Sequence, residues 1–161
     1  MQNAKDSFYM ALRSRLAVIN PARTVLMRGS IRPGLLVEEA EAPFSQVPVD
    51  VFILRWSGIG MDAELDSSMM AAECEITYQT MGTQAFGGLD RGRSLSDMDR
   101  EMMQMLTPMR TPKFSYATNP PMAMLTQVFW DELVLGPAVM QREKMSRSAK
   151  VKVYCYLEEG E

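Results

Sequence analysis

From Ala72 to Met81 the chain alternates without a slip: Cys74, Ile76, Tyr78 and Thr80 share one side, and Glu73, Glu75, Thr77 and Gln79 the other. The period returns near the C-terminus, where Val151, Val153, Cys155 and Leu157 interleave with Lys150, Lys152, Tyr154 and Tyr156. Side chains of an extended strand point to opposite faces in turn, so alternation this strict describes a strand with one face buried and one face wet. A chain with two such strands must build a sheet and cover one of its faces.

The covering layer is legible as well. Ala4, Phe8, Leu12, Leu16 and Ile19 recur at steps of three and four, with Lys5, Arg13 and Arg15 on the other side, which predicts an amphipathic helix. Asn20-Pro21 ends it, because proline cannot donate to the helical ladder and disfavours helical geometry at the residue before it. A second helix is predicted from Ser94, where Ser94 and Asp97 stand close to a capping-box spacing. Leu95, Met98, Met102, Met105 and Leu106 then fall on one face before Pro108, with Met103 left over from that methionine cluster.

Thr24 to Arg28 and Leu35 to Glu38 read as short strands that can pair as a hairpin around the turn-rich Gly29 to Gly34. Val49 to Trp56, rich in β-branched and aromatic residues, predicts a strand near the sheet centre. Ser57 to Ser68 and Gly82 to Arg93 read as exposed loops. Pro108, Pro112, Pro120 and Pro121 make residues 107–122 a long irregular excursion. Met122 to Leu135 is open between strand and helix, with Thr126, Val128, Phe129 and Trp130 favouring strand. The sum is an α+β fold: a mostly antiparallel sheet of about four to six strands with two helices packed on one face. At 161 residues the chain is of a size for one domain, spanning 1–161.

Histidine is absent, and methionine supplies 16 of the 161 residues. Without imidazole there is no Ser-His or Cys-His nucleophile pair, no histidine metal site and no side chain that titrates unperturbed near neutral pH. Gly58-Ile-Gly60 is too little for a dinucleotide fingerprint, and no phosphate-cradling loop, nucleophile elbow or paired-cysteine metal spacing occurs. Asp62, Glu64, Asp66, Ser68 and Glu73 fit a calcium-loop template in spacing, but Ser67 stands where its tight turn calls for glycine, so a solvated acidic loop is the simpler reading. No enzymatic activity, cofactor or metal is expected.

A net charge of −3 and an isoelectric point near 5.1 argue against a protein that grips nucleic acid through its phosphates. Cys74 and Cys155 match no metal spacing and read as core thiols rather than a disulfide. The charges at Lys5, Asp6, Arg13 and Arg15 interrupt any signal-peptide pattern, and no apolar run approaches membrane-spanning length.

What the composition favours is contact, since methionine is flexible and polarizable and suits surfaces that adapt to a partner. Phe114, Tyr116, Met122 and Met124 sit in or beside the proline-rich excursion, where exposed apolar groups imply a partner surface. Tyr154 and Tyr156 lie on the second face of the last strand and form a further candidate. Arg91 and Arg93, flanked by Gly87, Gly88 and Gly92 ahead of a helix, are candidates for holding an anion.

In element order and size the chain resembles the tail terminator, or tail completion, proteins of long-tailed bacteriophages. An N-terminal amphipathic helix (Phe8 to Ile19) leads into a hairpin with an acid-rich end, a long loop, an alternating strand (Glu73 to Met81), a capped helix (Ser94 to Leu106) and a last strand ending in Glu158 and Glu159. The proline-rich stretch from Pro108 to Pro121 departs from the smaller members. The resemblance implies a virion protein that forms a ring, a hexamer in that family, caps the tail tube and offers the head-tail connector a docking face. Its partners would be copies of itself, the tail tube protein and the connector protein, with DNA only as cargo through the channel and no membrane. Other neck, head-completion or tail-tube proteins share these parts, and a small-ligand or divalent-cation binding domain is the alternative of a different class.

Overall fold

The N-terminal periodicity folds as one helix, α1 (Gln2–Ile19), and its repeat shows directly in burial, with Ala4, Phe8, Leu12 and Leu16 wholly inside. Asn20 closes it: its N–H donates to the Leu16 carbonyl at 2.9 Å, and its side-chain oxygen accepts from the Ala22 N–H at 3.1 Å. The computed structural model describes residues 1–41, 47–61 and 69–158.

The first hairpin differs from the expected pairing. β1 (Thr24–Met27) pairs with β2 (Ser30–Pro33), in register from Thr24 opposite Pro33 to Met27 opposite Ser30. Arg28 and Gly29 form the two-residue turn with φ of 50° and 79°, the mirror-image geometry whose twist matches paired strands. Residues expected as turn are therefore strand, because that tight turn brings the chain straight back. β3 (Leu35–Val37) instead joins the main sheet, parallel to β4 (Phe52–Met61). A short helix, α2 (Glu38–Glu41), follows β3.

β4 also continues through Ser57, Gly58, Ile59 and Gly60, which had read as loop. Its partner β5 (Met69–Thr80) supplies the reason: after a register shift between Trp56 and Gly58 the ladder resumes against Glu73 and runs to Met70. Pairing with a committed neighbour overrides the weak strand preference of glycine.

The second helix, α3 (Arg91–Met105), begins before Ser94, so the expected capping box lies inside it. The Ser94 N–H already donates to the Asp90 carbonyl at 2.9 Å, and the Asp90 carboxylate takes the Thr83 N–H at 2.9 Å and hydroxyl at 2.8 Å, closing the loop from β5. Leu95, Met98, Met102 and Met105 are buried as the spacing predicts.

The proline-rich excursion is corrected most. β6 (Arg110–Ser115) forms within it and pairs with β7 (Met122–Trp130), leaving only 116–121 as a connection. Pro112 is tolerated because β6 is an edge strand, where a missing N–H need cost no ladder bond. β8 (Val134–Leu135) and β9 (Val139–Gln141) precede β10 (Lys144–Tyr156), and both pair with it.

Among the described residues the main sheet has eight strands in the order β3-β4-β5-β10-β7-β6, with β8 and β9 also on β10, more than the four to six expected. All its pairings are antiparallel except β3 with β4. α1 and α3 pack on one face, where Phe52, Leu54, Cys74, Ile76, Val128, Trp130, Val151 and Val153 meet them in one core. Phe8 stands at its centre, edge-on to Trp56 at 5.8 Å and to Trp130 at 5.2 Å between centroids.

Polar anchors fix the layers. Arg15 of α1 donates to the Met105 carbonyl at 2.6 Å and Trp130 Nε1 to that of Leu106 at 3.3 Å, so the open carbonyls at the end of α3 are met. Arg23 pairs with Glu101 of α3 through both guanidinium sides, reaches the Asp50 carbonyl at 2.9 Å and lies over the Phe52 ring. Both outer strands are met by side chains: Ser7 accepts the Phe114 N–H at 2.8 Å on β6, and on β3 Tyr9 donates to the Leu35 carbonyl while Glu41 accepts the Val37 N–H. Such contacts blunt sheet edges that would otherwise template further strands.

Candidate interaction surface on the open face of the sheet

On β10 the side chains that alternate with the core-facing ones look away from the helices: Lys150, Lys152 and Tyr156 are exposed, and Tyr154 is buried against its neighbours. Register sets their neighbours. Tyr154 is opposite Phe129 of β7, and Arg110 of β6 is opposite Phe129 on its other side. The Phe129 and Tyr154 rings stack at 5.5 Å with planes 13° apart, and Tyr156 lies 6.5 Å from Phe129. Tyr154 donates to Asp131 at 2.6 Å, which orients its ring. Met109, Arg110, Thr126, Gln127, Phe129 and Tyr156 line a cleft of about 580 Å3 here.

Beside the cleft the β6–β7 ladder breaks. Pro112 is opposite Gln127 and Phe114 opposite Ala123, so one residue of β6, Lys113, faces three of β7, Met124 to Thr126. This β-bulge frees two main-chain amides of β7, and Glu158 receives them: Leu125 N–H at 3.0 Å and Thr126 N–H at 2.8 Å, with the Thr126 hydroxyl at 2.5 Å. Lys113, fully buried, donates to the Tyr156 carbonyl at 2.8 Å and stands 3.3 Å from the Glu158 carboxylate. The Thr126 hydroxyl above all, helped by the two amides and Lys113, holds the Glu158 carboxyl down at about 2. The bulge leaves the Leu125 side chain 96% exposed.

Met109 and Tyr156 in the cleft are exposed apolar groups, as are Met122 and Leu125 on β7. Arg110, Lys150 and Lys152 make no ion pair among the described residues, although Lys150 and Lys152 lie opposite Glu75 and Glu73. A second cleft, of about 300 Å3, lies over the other end of β5 and β10. Val47, Pro48, Pro137 and Val139 wall it, and Thr77 and Ser148 are in its floor.

Of the residues singled out in sequence, Tyr154 and Tyr156 come together here around Phe129, and Met122 is exposed at the start of β7, opposite Ser115. Met124 is half-buried within the bulge. Phe114 and Tyr116 lie 6.4 Å apart and are half-buried against α1, where Tyr116 hydrogen bonds to Ser7 and burial pushes its hydroxyl pKa up. α1 thus meets Tyr116 through its side chain and Phe114 through its main-chain N–H. Arg91 and Arg93 are on α3: Arg91 packs over Gly88, where a Cβ would come within 2.8 Å of its Nη2, and Arg93 is exposed. The acidic side chain at that helix start is Asp90.

Of the calcium-template residues, positions 62–68 lie outside the described residues, and Glu73 is an exposed residue of β5. Among the described residues no cluster of three or more metal-ligating side chains occurs, and no helix is long and apolar enough to cross a membrane. Cys74 and Cys155 are buried thiols of the core, and burial pushes the Cys74 pKa well up.

Sequence reasoning missed Arg110, Leu125, Phe129, Lys113 and Glu158. The alternation of Leu125, Gln127 and Phe129 was a readable signal for part of this set. The bulge had none, because it depends on how β6 meets β7. Compared with models of protein families and with curated proteins, the chain matches none.

Proposed function

We propose that the chain is a structural subunit of the tail-terminator type, a protein that closes into a ring with copies of itself, a hexamer by resemblance, and caps a phage tail tube beneath the head-tail connector. The observation that carries the reading is the one-sided sheet: both long helices cover one face, while the other presents the exposed Tyr156 ring and Leu125 beside the half-buried Phe129, with Tyr154 buried in the stack beneath. Two separate clefts at opposite ends of β10 suit head-to-tail contacts, which need two different surfaces on each copy. The order helix, hairpin, alternating strand, helix and terminal strand is the order on which the resemblance rests.

Light scattering over a wide concentration range, with negative-stain electron microscopy of the concentrated protein, tests it. The expected result is growth to one closed ring species. Assembly that stops at a two-fold dimer, or none at any concentration, overturns the self-closing ring.

A further inference from the structure

We infer that the Leu125 bulge and the adjoining Arg110–Phe129–Tyr156 cleft form the surface by which one copy of this chain docks on a second copy, with Leu125 as the anchor. This deepens the ring reading and rests on it for the identity of the partner.

A regular ladder between β6 and β7 would spend the amides of Leu125 and Thr126 on strand pairing or leave them to water. Here a dedicated carboxylate takes both, and a fully buried lysine stands beside that carboxylate. Bulges re-aim side chains, and this one is locked from two directions, from β6 through Lys113 and from the end of β10 through Glu158. What it re-aims is Leu125, 96% exposed. An aliphatic side chain carried outward on a backbone that is already fixed suits an interface anchor, since little main-chain freedom is lost on docking.

The surroundings specify the occupant. Met109 and Tyr156 in the cleft and Met122 and Leu125 along β7 are exposed apolar side chains spread over more length than a small ligand covers, the kind of surface that a standard interface of roughly 800 Å2 per partner buries. Arg110, which lines the cleft, has no ion-pair partner among the described residues, while Lys152 lies opposite Glu73 and beside Asp131. The chain as a whole carries a net charge of −3, so a second copy offers the acidic groups that Arg110 favours.

The test compares wild type with Leu125→Asp, Arg110→Glu and, as a control, Val18→Asp, an equally outward aliphatic position on the helix layer at 82% exposure. All four are checked for unchanged circular dichroism and melting, which these exposed sites should preserve, and self-association is measured by sedimentation at low and high salt. We expect Leu125→Asp and Arg110→Glu each to weaken association by roughly tenfold or more, Val18→Asp to leave it unchanged, and salt to weaken wild type but not Arg110→Glu. Association untouched by Leu125→Asp and Arg110→Glu overturns this surface and leaves the ring reading standing. A two-fold dimer that Leu125→Asp dissociates keeps the surface and removes the ring. A wild type that stays monomeric at every concentration overturns the inference.

Discussion

Glu158 accepts the main-chain N–H of Thr126 at 2.8 Å, a contact between residues 32 positions apart that joins the end of the last strand to a break in its neighbour. The carboxylate replaces part of a ladder that the bulge interrupts. It ties the C-terminal end of β10 to the shape of the outward face, so the two should fail together.

The Glu158 carboxyl titrates at about 2 in the folded chain against an ordinary value of 4.5. Because the folded value is the lower one, the stability it contributes is complete above 4.5 and is lost as pH falls toward 2. The stability gap between wild type and Glu158→Gln should therefore be widest at neutral pH and narrow across that window. A gap that stays constant through acid would show that the charge of Glu158 is not what matters. Wild-type and variant urea transitions at several pH values measure this.

Arg23→Ala should be costly because its guanidinium pairs with a buried carboxylate of α3. It leaves Glu101, whose side chain is 10% exposed, without its guanidinium partner and with only Asn20 donating to it. Removing one member of a buried pair costs about 3–5 kcal/mol. Equilibrium denaturation reads the loss, and a change below about 1 kcal/mol would mean that water reaches Glu101 freely.

Phe8→Ala should be among the most damaging core changes. Its ring is wholly buried between Trp56 and Trp130, and truncations of this kind cost about 3–5 kcal/mol. For a domain of this length the melting point should fall on the order of 10 °C. Differential scanning calorimetry measures it.

Both cysteines should resist a thiol-specific disulfide reagent in the native protein and react fully in urea. Cys74 and Cys155 are fully buried, and for Cys74 loss of water around the thiolate keeps its pKa high. Rapid native labelling of either would place that thiol in contact with solvent.

The strict alternation at Ala72 to Met81 and at Lys150 to Leu157 determined two strands and which of their residues face the core, and the four-residue repeat from Ala4 to Leu16 determined the first helix. Period is a local property, because successive side chains of one element report its faces whatever it packs against. Pairing is not local. That β4 runs on through Gly58 and Gly60, that residues 30–33 turn back on β1, and that Pro112 sits in an edge strand were settled by partners elsewhere in the chain. Lys113 shows the limit most sharply. By type a lysine belongs on the surface, and only the meeting of β6, β7 and the end of β10 puts Glu158 and the Tyr156 carbonyl where its charge can be buried and Leu125 turned outward.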